Sequence, residues 1–423
     1  MRRAAVALSI LAAFAAVPPA FAWTPFGGGV QNTVVPSMLV TRAGTELVSF
    51  DSPVGGTISV ARAGGAPRVL VSGDAAANRT QLVQQQNGAI QLYYPSAAGV
   101  ARLTSTDDGQ TWSGPAATQS HTTGPVMAAA VAPDGTPYFA QDSTAGVNVF
   151  RGLGGETAKN VFPRCCGYAE SLAVDSTGLV QVAFFSNATA DGTFVYEPLA
   201  GDLSPAGSID LEPTGQHTDR VPLVADTLGN TFLAWPPGSP NATGLTVVPF
   251  RGGRPAGDGV GFHGTFGGGD PHMALTLDTR NRLWIVWTGG GAVHAARSRS
   301  NGRHFGAVVS MPVPGTTYQA SAAGIDGEPG SADVIVNTGS ALLRETLRPG
   351  LSVRTFRTTA KAGRKRVVIR WAQALDDGFA VPTATFRIKG RTIHANAGGK
   401  AKVPAGSGKA AAPGYAGASF RSP

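Results

Sequence analysis

Cysteine is almost absent: Cys165 and Cys166 are the only two in 423 residues, and adjacent cysteines cannot staple distant segments together. Long stretches free of helix breakers are missing too. With 57 Gly and 30 Pro the chain is punctuated too often for long helices, which leaves short strands as its regular structure. After the first 22 residues no apolar run approaches the length of a bilayer-spanning helix, so no transmembrane segment is expected. No phosphate loop, dinucleotide fingerprint or serine nucleophile elbow occurs. The basic C-terminal stretch lacks the interleaved aromatics that stack nucleic-acid bases, so nucleic acid is not an expected partner.

What is present begins with the N-terminus. Arg2 and Arg3 precede an apolar run from Ala4 to Val17, and Ala20, Phe21 and Ala22 form an A-x-A site before Trp23. This reads as a signal peptide over 1–22, cleaved near Ala22, and predicts a secreted, extracellular protein. Lysine is scarce beside arginine, as in the products of GC-rich bacterial genes. The remaining 400 or so residues exceed one simple core, which predicts two domains. Charge divides them: Thr24 to Leu351 carries 18 Lys plus Arg against 24 Asp plus Glu, net −6, whereas Ser352 to Pro423 carries 14 against 2, net +12.

A repeated pattern fills the acidic part. An apolar strand, a turn with Asp, Asn or Gly, and a second apolar strand recur over Ser37 to Ser52, Thr80 to Ser96, Met127 to Gln141, Glu170 to Ser186, Val221 to Pro237, Met273 to Gly289 and Ala320 to Thr338. Anchored at Gly44, Gly88, Gly135, Gly178, Gly229, Asn281 and Gly330, the copies are 44, 47, 43, 51, 52 and 49 residues apart, the period of a four-stranded propeller blade. A third strand follows each hairpin, and the clearest fourth is Arg68 to Ser72. The expected fold is all-β: a seven-bladed β-propeller over 23–351, six-bladed if one repeat is partial.

Ser105, Asp107, Gly109, Thr111 and Trp112 spell S-x-D-x-G-x-T-W, a turn whose hydroxyl and carboxylate cap its own backbone. A degenerate copy keeps Ser298, Gly302 and Phe305, and each copy starts 17 residues after its anchor, at Gly88 or Asn281. The pattern resembles the Asp-box, or BNR repeat, of sialidase-like β-propellers. That resemblance implies the fold; in the family the box lies away from the catalytic face. Thr33 to Val40 has the shape of the aromatic-Arg-Ile-Pro motif that opens sialidases, but Val34 stands where a carboxylate-binding arginine belongs. The loop after Asp51 does not match the family's acid/base aspartate loop, and no Tyr and Glu nucleophile pair can be assigned. The expected function is a divergent, non-catalytic carbohydrate or ligand binder of the cell exterior, expected as a monomer. The alternatives are an exo-sialidase-like glycoside hydrolase and a metal-dependent polysaccharide lyase.

In such a propeller the first strand of each blade is innermost, so the residues leading into it gather at the channel mouth. Here they supply ligand-binding candidates Arg79, His121, Arg164, Cys165, Cys166, Tyr168, Arg220 and Tyr318. His217 and Asp219, with Asp270 and His272, have the i, i+2 spacing that points both members of an extended pair the same way, a donor set for Ca, Zn or Mn. Asp219 and Asp270 are also candidates for a glycosidase acid/base pair. Cys165 and Cys166 can close a strained vicinal disulfide beside Tyr168, an apolar platform for a sugar ring; a plain tight turn and intermolecular pairing are the alternatives. From Ser352 the period ends. The stretch Thr383 to Ser419, with its pattern from Gly390 to Ala418, resembles the small Ig-like or carboxypeptidase-regulatory-like β-sandwich, which implies a second domain over 352–423. Its cationic surface has three readings: contact with an anionic cell-envelope polymer, contact with the acidic propeller, or simple solvation.

Overall fold

The computed structural model describes residues 22–26, 36–52, 56–73, 79–97, 99–119, 127–143, 146–153, 158–162, 167–188, 192–213, 221–237, 244–263, 272–299, 302–325, 330–362 and 365–422. All regular structure within them is β. Seven antiparallel sheets follow one another along the chain. Sheet 1 comprises Ser37–Val40, Glu46–Ser52, Thr57–Arg62 and Arg68–Ser72, and sheet 2 comprises Gln81–Gln84, Ile90–Ser96, Gly99–Ser105 and Ala116–Gln119. Sheets 3, 4 and 6 repeat that order from Met127 to Phe162, Gly167 to Pro213 and Met273 to Pro312. In sheet 5, Leu223–Ala225, Asn230–Trp235 and Gly244–Arg251 are followed by two short strands, Arg254–Pro255 and Val260–His263, both on the third. Sheet 7 has Gln319–Gly324, Ala332–Asn337 and Leu342–Leu347, and takes its fourth strand, Thr24–Pro25, from the other end of the chain.

One turn makes the first six hairpins. The anchors Gly44, Gly88, Gly135, Gly178, Gly229 and Asn281 have φ of 81°, 88°, 89°, 85°, 79° and 56°, the left-handed region that lets a three-residue loop join strands without splaying them, and Gly330 of the seventh has a φ of 89°. Around the first six, the residue three before the anchor donates its N–H to the carbonyl of the residue after it. Carboxylates cap the loops: Asp175 accepts from the backbone of Thr177 and Leu179, and Asp226 and Asp278 repeat the arrangement.

The second strands bury both faces, which is why they read as near-continuous apolar runs. In sheet 4, Val180, Val182 and Phe184 pack with sheet 3, while Ala183 and Phe185 pack with sheet 5. Seven such cores occur, each shared by two successive sheets and the last by sheets 7 and 1, where Ile335 and Leu342 meet Met38, Val48 and Phe50. The sheets therefore close a ring. At that closure Arg344 of sheet 7 pairs with Glu46 of sheet 1 and, at 3.2 Å, with Asp333. Burial, with the charge of Asp333 adding to it, pushes the Glu46 carboxyl up to about 7 against the pull of Arg344.

The Asp-box is built as its letters suggest. Ser105 Oγ donates to Asp107 at 2.8 Å and accepts the Gly109 N–H at 2.9 Å, and Asp107 accepts the Thr111 N–H at 2.9 Å. The Thr111 hydroxyl and N–H together hold Asp107 at about 2. The box fastens sheet 2 to sheet 1: Gly109 lies against Leu47, where a Cβ would sit 2.9 Å from the side chain, and Asp108 accepts from Thr45. In the degenerate copy Gly302 lies against Phe232 of sheet 5. Leu47 and Phe232 each follow their anchor glycine by three residues, so both boxes dock at one register on the preceding sheet.

From Ser352 two further sheets share a core. Ala372 and Ala374 of the first pack on Phe386, Ile388, Ala410 and Phe420 of the second. This unit docks on the hairpin-turn end of sheets 6 and 7. Asp376 is fully buried and accepts from Arg282 Nη1 at 2.7 Å, Arg297 Nη2 at 2.6 Å and the Tyr415 hydroxyl at 3.0 Å. Asp377 accepts from Arg297 at 2.9 Å, and Asp278 takes Arg282 Nε at 2.8 Å. The polarity is the reverse of what net charge suggests. The basic unit meets the acidic ring through its only two acids, which lock onto ring arginines.

Candidate functional site

In every sheet the first strand starts, and the second ends, at the face opposite the hairpin turns. Polar side chains that a strand core would exclude collect there. Asp51, Ser96, Gln141, Ser186, Thr288 and Asn337, all near the ends of second strands, are buried. A cavity of about 160 Å³ opens between the first strands of sheets 1, 2, 5, 6 and 7. Its polar lining is Ser37, Gln81, His272, Gln319 and Ser321, set among Met38, Pro222 and Met273. At roughly 30 Å³ per water molecule it holds about five, room for one ring or terminal group and less than a typical small-ligand pocket.

The lining is pinned by its neighbours. Ser37 Oγ accepts the Leu82 N–H at 3.0 Å, tying sheet 1 to sheet 2. The His272 N–H donates to Thr288 Oγ1 at 3.2 Å, and the Thr288 N–H returns to the His272 carbonyl at 3.0 Å. The Tyr318 N–H donates to the Asn337 carbonyl at 2.9 Å, setting the start of the strand that carries Gln319. The described residues lining the cavity include no carboxylate, guanidinium or ammonium.

Charged side chains at this face include Asp51 and Arg79 between sheets 1 and 2, Asp142 near the end of the second strand of sheet 3, and the fully buried Glu170 near the start of the first strand of sheet 4. Asp51 is 1% exposed, and its Oδ1 has no hydrogen-bond partner among the described residues. Burial pushes its carboxyl up to about 7, partly opposed by its own backbone N–H and by the positive charge of Arg79. Ser49 and Thr80 share a buried 2.7 Å hydroxyl hydrogen bond alongside. The electrostatic effect of Arg79 thus reaches Asp51, and its side chain does not line the cavity.

Of the residues singled out by sequence, the structure places His272 in the cavity wall, Tyr318 next to Gln319, and Arg79 beside Asp51. Tyr168 pairs with Phe185 at the start of sheet 4, its backbone alone being described. His121, Arg164, Cys165, Cys166, His217, Asp219, Arg220 and Asp270 lie outside the described residues, as do Val34 and residues 1–21. The vicinal disulfide, the four-residue metal set and the paired-aspartate site fall with them. Among the described residues no cluster of three His, Cys, Asp or Glu side chains is placed to hold a metal. Sequence reading missed Gln81 and Gln319, which are the first residues of their strands, and missed the burial of Asp51. A polar residue closing an apolar second strand was the available signal for the last.

Sequence comparison finds no matching protein family and no matching curated relative. Comparison of structures finds many similar folds. Virginiamycin B lyase from Staphylococcus aureus is 12% identical at a TM-score of 0.53, the match covering 77% of this chain and 99% of the lyase. A catalytically inactive histidine-to-alanine variant of that lyase, in a structure with quinupristin, matches over the same shares at 12% identity and a TM-score of 0.50. The fold is a β-propeller. A Hadza microbial sialidase is also similar, at 12% identity and a TM-score of 0.41 over 75% of this chain and 65% of the sialidase. Set on the propeller, the cavity occupies the axial channel at the end where the innermost strands begin.

Proposed function

We propose that the chain is a secreted, seven-bladed, sialidase-like propeller over 23–351 with a small basic β-sandwich over 352–423. It binds the terminus of a neutral glycan at the axial cavity and does not hydrolyse it. The observation that carries this reading is the lining itself, in which two amides, two hydroxyls and one imidazole converge. Neutral donors and acceptors match sugar hydroxyls, whereas a carboxylated sugar calls for guanidinium. Hydrolysis by two carboxylates calls for a pair flanking one bond, and none lines the cavity among the described residues.

Binding of neutral oligosaccharides to the mature protein, by calorimetry or on a glycan array, tests the reading. Gln319→Ala and His272→Ala should each weaken binding by about tenfold or more, the scale of one or two lost hydrogen bonds in a closed site. Retained affinity in both variants, or release of fluorophore from a sialoside, would sink it.

A second reading is a lyase that uses His272 as the base. It is favoured by the place of His272 in the cavity wall and by the lyase neighbour whose histidine variant is inactive. Metal analysis and chelation divide its two forms. A metal-dependent lyase, drawing His217, Asp219 and Asp270 to His272, would lose activity on chelation; a metal-free one would not.

A further inference from the structure

We propose that the C-terminal unit is an anchor for an acidic polysaccharide, held along the first of its two sheets. Asp376 and Asp377 are the only side-chain carboxylates after Leu351, against 14 Lys plus Arg. Both are consumed by Arg282 and Arg297 of the propeller. Among the described residues no carboxylate pairs with Arg354, Arg357, Lys361, Arg366, Lys400 or Lys402. The sheet's long hairpin, Ser352–Ala362 with Lys365–Asp376, sets Lys361 directly opposite Arg366, a like-charge cross-strand pair that destabilises the ribbon on its own. An external polyanion removes that repulsion.

The opposite face of the same sheet presents further cations, Arg354, Lys400 and Lys402, on a rigid floor. Phe356 lies opposite Trp371, their rings 6.3 Å apart and 13° from parallel, and Trp371 Nε1 is fixed by Thr358 Oγ1 at 2.8 Å. Arg354 and Lys400 stand over Phe356 at 6.0 and 5.8 Å, and Lys402 over Trp371 at 5.7 Å. The ring faces thus hold the cations in place without a counter-ion. Arg354 is two positions from Phe356, whereas pairing brings Trp371, Lys400 and Lys402 to it from 15 to 46 positions away.

Geometry selects the polymer. At about 3.3 Å per residue the hairpin is a rail of roughly 35 Å, suited to a linear chain of charges. The rings, being covered by cations, offer no open face for stacking a nucleic-acid base. The exposed Val367 and Val368 are successive strand residues and point to opposite faces, so neither face gathers an apolar patch for entering a bilayer.

The test uses the mature full-length protein with polygalacturonate as probe, and dextran, oligo(dT) and phosphatidylglycerol vesicles as counterparts. Polygalacturonate should bind, weakening by about tenfold or more between about 50 and about 200 mM salt, while dextran does not. Lys361→Glu with Arg366→Glu on one face, and Lys400→Glu with Lys402→Glu on the face that holds Phe356 and Trp371, should each weaken binding by about tenfold or more at a little-changed thermal midpoint, and Lys361→Arg and Lys402→Arg should retain it. Binding that survives the charge reversal, equal binding to dextran, or preference for oligo(dT) or vesicles would overturn the proposal.

Discussion

Replacing Asp376 probes the joint between propeller and C-terminal unit. The carboxylate is fully buried and takes Arg282 and Arg297, whose side chains are 3% and 9% exposed. Asp376→Ala leaves two sequestered guanidinium groups facing a void, while Asp278 and Asp377 compensate only in part. Breaking a buried pair by removing one partner costs about 3–5 kcal/mol, a large share of the roughly 5–15 kcal/mol that holds a domain together. Asp376→Asn keeps the volume and the Tyr415 contact but cancels the charge, and should lose about 2–4 kcal/mol. Calorimetry gives the assay. The wild type should melt with both units coupled, and the variants should show the C-terminal unit melting first. A cycle with Arg297→Met should show a coupling energy of about 2 kcal/mol or more, within the range for directly contacting residues. Burial opposes ionisation of Asp376, but Arg297 and Arg282 outweigh it and hold the carboxyl below its ordinary range. The joint's electrostatic contribution is therefore complete above the ordinary carboxylate pKa and is lost only as pH falls through the lowered value. A loss under about 1 kcal/mol, or an equal loss with Arg297 already replaced, would refute the reasoning.

Asp51 behaves oppositely. Its folded pKa is raised from 3.8 to about 7, so the stability it confers is full below 3.8 and is lost as pH rises to about 7. Asp51→Asn should raise denaturation stability at pH 8 by up to about 4 kcal/mol and change little at pH 4, measured by urea titration at both. Gly302→Ala meets both a φ of 66° and the Phe232 ring, and should lower stability by about 2–4 kcal/mol. Gly339→Ala, at a φ of 79° in a turn outside the Asp-box, should lose no more than about 1–2 kcal/mol, so an equal loss in the two variants would mean that docking on Phe232 contributes little. Replacing Asp107 by Asn should untie the Thr111 turn and lower the thermal midpoint chiefly above pH 4, where the aspartate is ionised.

The hairpins were legible because two buried faces turn a second strand such as Leu283–Gly289 into an apolar run, and because the loop requires a left-handed residue at one fixed place. Apart from Arg68–Ser72, fourth strands were not. Ala116–Gln119, Val309–Pro312 and Val260–His263 are four residues each at a sheet edge, and without a second buried face they carry no periodicity. The site was legible only in kind. His272 and Tyr318 were found because they precede innermost strands, whereas Asp51 became notable only once packing removed its water. The arginine cluster around Asp376 joins residues 79 to 94 positions apart, and no local pattern announces it.

The strand that completes sheet 7 also sets a folding order. Thr24 pairs with Arg344, 320 positions away, so every shorter N-terminal portion of the chain leaves one flank of sheet 1 uncovered. Met38, Val48 and Phe50 face solvent until the final hairpin has formed and returned to them. Closing so long a loop makes this step late and slow, and exposes an adhesive apolar flank to neighbouring chains meanwhile. The seam where the two ends meet is thus the last interface of the ring to be completed. Loss of Thr24 and Pro25 should open that seam first and leave the other six interfaces intact.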